Sequence, residues 1–264
     1  MANSEKTVAL VNPLSTSNRP LISIITVVRN GAASISETLE SVRAQCDADV
    51  EHVIVDGASS DGTVEIIKAF QRDRLRWISE PDQGIYDAMN KGISLARGEW
   101  FLFLGADDVL ADTAVLADIF RARELTKYDL ICGRSSYHGG RRCVPRLDWH
   151  TQVFNTIHHQ AVFYRRRLFD DFRYRLDIPV IADYEMSFLA YKKGMSVLFL
   201  ERHVAISGVH GVSHRSSQLS AQFDAFKIRG RYVNAPLNVV FLAIGLINLF
   251  VVQLLEYFPQ KNRR

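Results

Sequence analysis

The 264-residue chain has only three cysteines, Cys46, Cys132 and Cys143, and no two of them form a CxxC pair. An odd, scattered set excludes a disulfide framework and a zinc knuckle, and it fits reduced structural thiols in a cytosolic compartment. Met1 to Lys6 lack the basic start and long apolar core of a secretory signal, so the cytoplasm is the expected location of the main body. Charge of one sign is scarce as well, with 32 basic residues against 29 acidic. No helix-turn-helix or zinc-finger spacing occurs, and no platform of interleaved basic and aromatic residues, so nucleic acid is not an expected partner. A dinucleotide-binding GxGxxG after the first apolar run is also missing. Gly57-Ala-Ser-Ser-Asp-Gly62-Thr63 has the glycine spacing of a phosphate-binding loop but no lysine before its threonine, which excludes the P-loop reading.

Two stretches carry most of the positive information: Val53-Ile-Val-Asp56-Gly-Ala-Ser-Ser-Asp61-Gly-Thr63 and Trp100-Phe-Leu-Phe-Leu-Gly-Ala-Asp107-Asp108. Each is an apolar run of strand length that stops at acids beside glycine, which is how a buried parallel strand delivers carboxylates to the ligand-binding edge of a sheet. Carboxylates gathered there call for a cationic or hydrogen-bonding partner, so a divalent metal and a nucleotide are the expected ligands. The flanking pattern is an alternation of strand and helix. Ile22–Val28 reads as a strand, Ser34 with Glu37 as a capping box opening a helix, Val50–Asp56 as a strand and Thr63–Phe70 as a helix. Leu75–Ser79 then reads as a strand, Ile85–Arg97 as a helix capped by Gly98, and Trp100–Leu104 as a strand. The later elements are Tyr128–Gly133, a hairpin turn at Gly139-Gly140, Val162–Tyr164, a helix from Ala182 to Lys193, and Val197–Leu200. The expected class is α/β, with a mostly parallel central sheet flanked by helices and a Rossmann-like nucleotide-binding half.

With both acidic strand ends placed, the chain resembles a family-two inverting glycosyltransferase of the GT-A fold, similar to bacterial enzymes of exopolysaccharide and colanic-acid type. The resemblance rests on Ile22 to Asn30, the Asp56 to Thr63 stretch, Glu80-Pro-Asp-Gln-Gly-Ile-Tyr-Asp-Ala-Met-Asn-Lys91-Gly92, and Gly98 to Asp108, with shorter marks at His159-Gln160 and Ala182-Asp183-Tyr184-Glu185. It implies that Asp56 reads the nucleobase, that Thr26 and Val28 line base and ribose, and that Asp107 holds Mg²⁺ or Mn²⁺ against the donor diphosphate. Gly105 stands where such enzymes carry the first acid of a DxD motif. Asp108 is either a turn residue or a donor contact, and Asp61 is a turn or helix cap. Asp183 matches the single base that inversion by direct displacement requires, with Glu185 in reserve, and Ala182 replaces an acid common just before it. Asp87 and Lys91, at i,i+4 spacing, suit either the donor diphosphate or a plain surface ion pair. His159 with Gln160 is expected at the acceptor pocket, with its neighbour His158 packed on the other side. His210, on the loop that also carries His214, is a candidate donor contact.

The run from Leu237 to Leu255 carries no charge and approaches the roughly 20 residues that span hydrocarbon. Asn238, Asn248 and Gln253 argue against simple spanning. Basic residues flank it on both sides, Lys227, Arg229 and Arg231 before it and Lys261, Arg263 and Arg264 after it. The pattern suits a helix in or on the cytoplasmic face of the inner membrane, against anionic lipid, while a buried oligomer helix is the plainer alternative. The expected division is a leader over 1–20, a catalytic GT-A domain over 21–215 and a helical, membrane-associating segment over 216–264. The implied function is transfer of a sugar from a nucleotide-diphosphate donor to a glycan acceptor, lipid-linked and belonging to polysaccharide synthesis. Two alternatives are a catalytically impaired sugar-nucleotide-binding subunit, suggested by Gly105 and Ala182, and a sugar nucleotidyltransferase.

Overall fold

The computed structural model of the chain describes residues 7–9, 19–121, 124–138, 140, 142–208 and 218–261. One ten-stranded mixed sheet organises it. Its parallel half consists of β2 (Ile22–Val28), β3 (Val50–Asp56), β4 (Leu75–Ser79) and β5 (Trp100–Phe103), in the order β4-β3-β2-β5. Ile22, Ile24, Ile25, Val53, Ile54 and Val55 are almost fully buried, as expected of strands covered on both faces. The connecting helices are α1 (Ile35–Arg43), α2 (Thr63–Ala69) and α3 (Ile85–Leu95). Within the segment read as a leader, β1 (Thr7–Ala9) pairs antiparallel with β4 at the sheet edge.

The other half breaks the parallel pattern. After β6 (Val109–Leu110) and α4 (Val115–Phe120) come β7 (Leu130–Tyr137), β8 (Arg142–Cys143), β9 (Val162–Arg165), α5 (Asp183–Lys192) and β10 (Val197–Ser207). Antiparallel β9 lies between β5 and β7, β10 runs parallel to β7, and β6 pairs antiparallel with the end of β10. The last strand is longer than its apolar run, because it continues through Glu201 and Arg202 with register shifts around His203. Those shifts let polar residues pass without ending the strand, and the extension delivers Ser207 and Gly208 to the acidic edge.

Two local expectations fail. Ser34 is the N-cap of α1, but its hydroxyl turns to the Gly31 carbonyl (3.5 Å) and no side-chain cap forms. α3 ends at Leu95, and Gly98, expected as its cap, instead donates its N–H to buried Ser23 Oγ (2.7 Å).

Helices α6 (Gln218–Arg229) and α7 (Ala235–Lys261) close the chain. The first turns of α7 dock on α6 through Asn238, Phe241 and Gly245. Buried Arg229 donates from Nε to Asn238 Oδ1 (3.1 Å), Asn238 Nδ2 donates to the Phe226 carbonyl (3.0 Å), and Gly245 faces Gln222. From Leu246 onward the described side chains of α7 have little cover, with Ile247 at 63%, Phe250 at 62% and Leu255 at 66% exposure.

Candidate active site

A cavity of about 510 Å³ opens over the carboxyl ends of β2 and β5, beside the N-terminus of α3 and the start of α5. Asp56, at the end of β3 and fully buried, pairs with Val28 of the lining and stands outside the lining itself. Its Oδ2 accepts from the Ser59 N–H (3.0 Å) and the Ser79 hydroxyl (2.6 Å), while buried Oδ1 has no hydrogen-bond partner among the described residues. A buried carboxylate oxygen held open in this way is a ready acceptor for a ring N–H. Val28 lines the cavity as expected, joined by Arg29 and Asn30. Thr26 does not: it is buried and bonded to His52 Nε2 (2.9 Å), whose imidazole is pushed down to about 3 by burial and then by Arg72. Alternation along β2 accounts for this, since Thr26 faces the sheet's interior packing. Asp61 is the turn residue expected: it accepts from Thr63 N–H (3.1 Å), Thr63 hydroxyl (2.5 Å) and Ala32 N–H (3.0 Å).

At the end of β5 the two adjacent acids separate in role. Asp108 is buried and gives Oδ2 to the Gly105 N–H (2.8 Å) and Oδ1 to the Gly208 N–H (2.9 Å). It thereby ties this turn to the end of β10. Burial, followed by the charge of Asp107, raises its carboxyl above the ordinary value, partly opposed by those two N–H groups. Through these two bonds Asp108 clamps the turn to the end of β10, and it also contributes to the cavity lining. Gly105 is part of the clamp, because a Cβ there would lie 2.7 Å from Asp108 Oδ2. Asp107 lines the cavity, with its carboxylate packed over Gly208, where a Cβ would lie 2.2 Å from Oδ2. Among the described residues no three His, Cys, Asp or Glu side chains gather as a metal centre. One carboxylate at the cavity suits Mg²⁺ or Mn²⁺ that takes its other ligands from diphosphate and water.

Across the cavity stands Asp183, the first residue of α5. Tyr86 hydroxyl lies 2.9 Å from its Oδ1, and Oδ2 accepts from Asn155 Nδ2 (2.9 Å) and meets His159 Nδ1 at 3.3 Å. Burial raises the carboxyl, but His159, Tyr86 and Asn155 together outweigh it and hold the group below its ordinary value. His159 is shifted the other way: burial opposes its protonation, and Asp183 first and Asp108 second raise it above its usual range. Each group thus favours the charged form of the other, and the Asp183 carboxylate is ringed by groups from α3 and from the 155–159 stretch. His158 packs against Tyr137, with Nε2 2.7 Å from the phenol oxygen. Glu185 points the other way, its Oε1 bonded to Tyr232 (2.5 Å), so it fastens α5 to the tail and stands apart from the cavity. One hundred degrees per residue along a helix puts positions 183 and 185 on opposite faces.

Asp87 and Lys91 also stand outside the lining. Lys91 Nζ bonds the Pro81 carbonyl (2.7 Å), Glu80 (3.1 Å) and Asp87 (3.5 Å), while Asp87 accepts from the Gln83 N–H (3.0 Å), so the cluster folds the loop before α3 onto the helix. That loop places Asp82 in the lining, beside Gly57. His210 and His214 lie outside the described residues. Asn155 lies outside every motif singled out in the sequence; Arg29, Asp82 and Tyr86 fall within the Ile22–Asn30 and Glu80–Gly92 motifs, but their places at the cavity emerge only from the packing.

The sequence profile described as Glycosyl transferase family 2 matches residues 23–207. The chain belongs to glycosyltransferase family 2. It is 37% identical over 179 residues to the PGL/p-HBAD biosynthesis glycosyltransferase of Mycobacterium bovis, covering 64% of this chain and 68% of that protein. Staphylococcus aureus TarS is similar in fold, with a TM-score of 0.66 at 19% identity, over 85% of this chain and 42% of TarS. A shorter TarS chain, residues 1–349 in complex with UDP-GlcNAc, gives 0.65 over 71% of its length. The mannosyltransferase PcManGT of Pyrobaculum calidifontis, in complex with GDP-Man and Mn²⁺, gives 0.62 at 17% identity over 94% of this chain and 82% of that one. The fold of this family-2 transferase is thus GT-A, with a mixed sheet and one apolar C-terminal helix. Family membership leaves the nucleotidyltransferase alternative without support.

Proposed function

We propose that the chain is an inverting, metal-assisted hexosyltransferase that moves a sugar from a nucleoside-diphosphate donor to a lipid-linked glycan at the cytoplasmic face of the membrane. The observation that carries this reading is the single cavity that places Asp107 and Asp183 on one lining, with Asp56, paired with Val28 of that lining, holding an open oxygen. The UDP-GlcNAc and GDP-Man held by the two fold relatives support the donor class.

In this mechanism Asp56 Oδ1 accepts from the nucleobase, and Val28 and Arg29 flank base and ribose. Asp107 would hold Mg²⁺ or Mn²⁺, which neutralises the charge that the leaving diphosphate develops. The acceptor oxygen attacks the anomeric carbon from the face opposite the diphosphate. Its proton passes to Asp183 as the bond from that carbon to the diphosphate oxygen breaks, which inverts the centre in one displacement. Tyr86, Asn155 and His159 keep Asp183 ionised and aimed.

Membrane contact rests on α7. Residues Ala235–Leu255 are long and apolar enough to cross a bilayer, and most of their surface is uncovered. Asn238, the first polar interruption of the run, turns inward to Arg229 and does not face outward. Apolar burial in the interface, reinforced by basic residues at about 1 kcal/mol each against anionic lipid, would hold it there.

Thermal stabilisation of the wild type and Asp107→Ala by UDP and by GDP, each with and without Mn²⁺, tests the donor reading. One nucleotide is expected to raise the melting temperature and Mn²⁺ to add to it, with that addition lost in Asp107→Ala. No stabilisation by either nucleotide would sink the donor assignment, and equal metal increments in both proteins would remove Asp107 as the holder. Nucleotide binding without turnover would favour the impaired-subunit alternative.

A further inference from the structure

A second cavity, of about 550 Å³, adjoins the first, and Tyr137, Asn155 and His158 form the wall common to both. Asn155 is the residue whose amide holds Asp183. Beyond that wall the lining turns cationic, with Arg142 on β8 and Arg146 in the following loop. Exposed Arg142 makes no ion pair with a described residue. Its charge reaches His203, whose imidazole is held below its usual value by burial and then by Arg142 and Arg202. Arg146 has a distant partner, Asp148 Oδ2 at 4.0 Å from Nε, and the other oxygen of Asp148 serves the His150 N–H (2.8 Å) and ring (2.8 Å). The backbone of Arg146 is fixed to the wall: its N–H donates to the Thr156 carbonyl (3.2 Å), and its carbonyl accepts from the Thr156 hydroxyl (2.7 Å). Two guanidinium groups with this little acidic competition, in a concave site whose wall includes Asn155, match the oxygens of a phosphate group.

We propose that this second cavity is the anchoring subsite of the acceptor and that Arg142 and Arg146 take a phosphate group carried by it. The acceptor hydroxyl then approaches Asp183 past the Asn155 wall. The proposal rests on the glycosyltransferase reading for the role of Asp183, whereas the phosphate site itself stands on the cavity and its lining. A lipid headgroup phosphate and a soluble phosphate ester present the same oxyanion, and the test separates them.

Cys143 lies in the lining between the two arginines, Cys132 is buried, and Cys46 is exposed. In full-length Cys46→Ser protein the rate of maleimide modification of Cys143 therefore reports occupancy of the cavity. The donor cavity is first filled with UDP or GDP, whichever stabilises the protein. Inorganic pyrophosphate, vesicles of phosphatidate in phosphatidylcholine, and vesicles of phosphatidylcholine alone are then added separately. Pyrophosphate or the phosphatidate vesicles are expected to slow modification by about tenfold beyond the neutral vesicles, the size of effect that charge-assisted hydrogen bonds give. The protection should vanish in the Arg142→Gln, Arg146→Gln double variant while melting temperature and nucleotide stabilisation stay unchanged. Protection by pyrophosphate alone assigns a soluble phosphate ester, and protection by phosphatidate vesicles assigns a lipid headgroup; either supports the site. Protection by neither, or protection that persists in the double variant, overturns it. Nucleotide stabilisation read in the same samples keeps the two claims apart: its loss with protection intact would sink the donor reading, and its presence without protection would sink the subsite.

Discussion

Asp56 and Asp183 are both buried carboxylates, Asp183 in the lining of the cavity and Asp56 behind it at the end of β3, and the fold treats them in opposite ways. Asp56 ends a strand hydrogen-bonded on both sides, takes its donors from nearby Ser59 and Ser79, and keeps one oxygen open. Asp183 begins a helix and is surrounded by groups from α3, from the loop holding Asn155 and from the turn holding His159. A recognition group needs only a fixed direction, which a central strand supplies. A base, the role proposed for Asp183, needs tuning as well as direction, and here α3 and the 155–159 stretch converge on it.

The sharpest test of this contrast is Asp183→Asn, which keeps size but exchanges one acceptor oxygen for an amide donor and cannot take a proton. Transfer is expected to fall by roughly 10²–10⁴-fold with donor binding preserved. Native-rate transfer in this variant would end the base assignment. Asp56→Ala should do the reverse, weakening nucleotide binding by about 1.5–3 kcal/mol, the worth of a hydrogen bond to a charged group, with a smaller effect on turnover of bound donor. Calorimetric titration checks it, and unchanged affinity would remove Asp56 from base recognition.

Smaller effects probe the surroundings of the base. Tyr86→Phe removes a donor to the anion, so the acid limb of the kcat profile should move up; a limb that stays put or moves down would show that the phenol does not tune Asp183. The ion pair with His159 should also mark stability. The carboxyl lies below 3.8, so its contribution is present above that value and lost as pH falls through the folded value. The imidazole lies above 6.5, so its contribution is full below that value and lost as pH rises through the folded one. The stability gap between wild type and His159→Gln is thus expected to be widest between those limits and to narrow above 6.5; a gap independent of pH would break the pairing.

The smallest expected effect on the cavity comes from shortening α7. Ending the chain after Gly245 keeps Asn238 and Phe241 on Arg229 while removing the uncovered turns. That protein should leave the membrane pellet with nucleotide binding unchanged. Ending it after Asn234 strips cover from a buried guanidinium and should lower the melting temperature as well. Continued sedimentation of both truncated proteins would place the membrane contact elsewhere.

The same contrast explains what the sequence discloses. The parallel half was legible because strands buried on both faces are written as near-continuous apolar runs, and Asp56 and Asp107 stand where such runs stop. The length of β10 was hidden, since Glu201, Arg202 and His203 interrupt its apolar pattern at the register shifts. Two-residue β6 is too short to leave a pattern. Asp183 stands in a recognisable motif and lines the cavity, but Asn155 sits in an irregular loop with no periodicity, and only the packing of that loop on α5 reveals it. The choice between Asp183 and Glu185 depended on helix phase, and Asp108 on where β10 ends.

The Gly105 and Asp108 clamp makes the two positions one interlocked unit with respect to mutation. Writing an aspartate at 105 to restore a two-acid motif would drive a side chain into the Asp108 carboxylate and loosen its hold on the end of β10. An acid at 105 thus displaces the very carboxylate that holds Gly208, so the two positions change together.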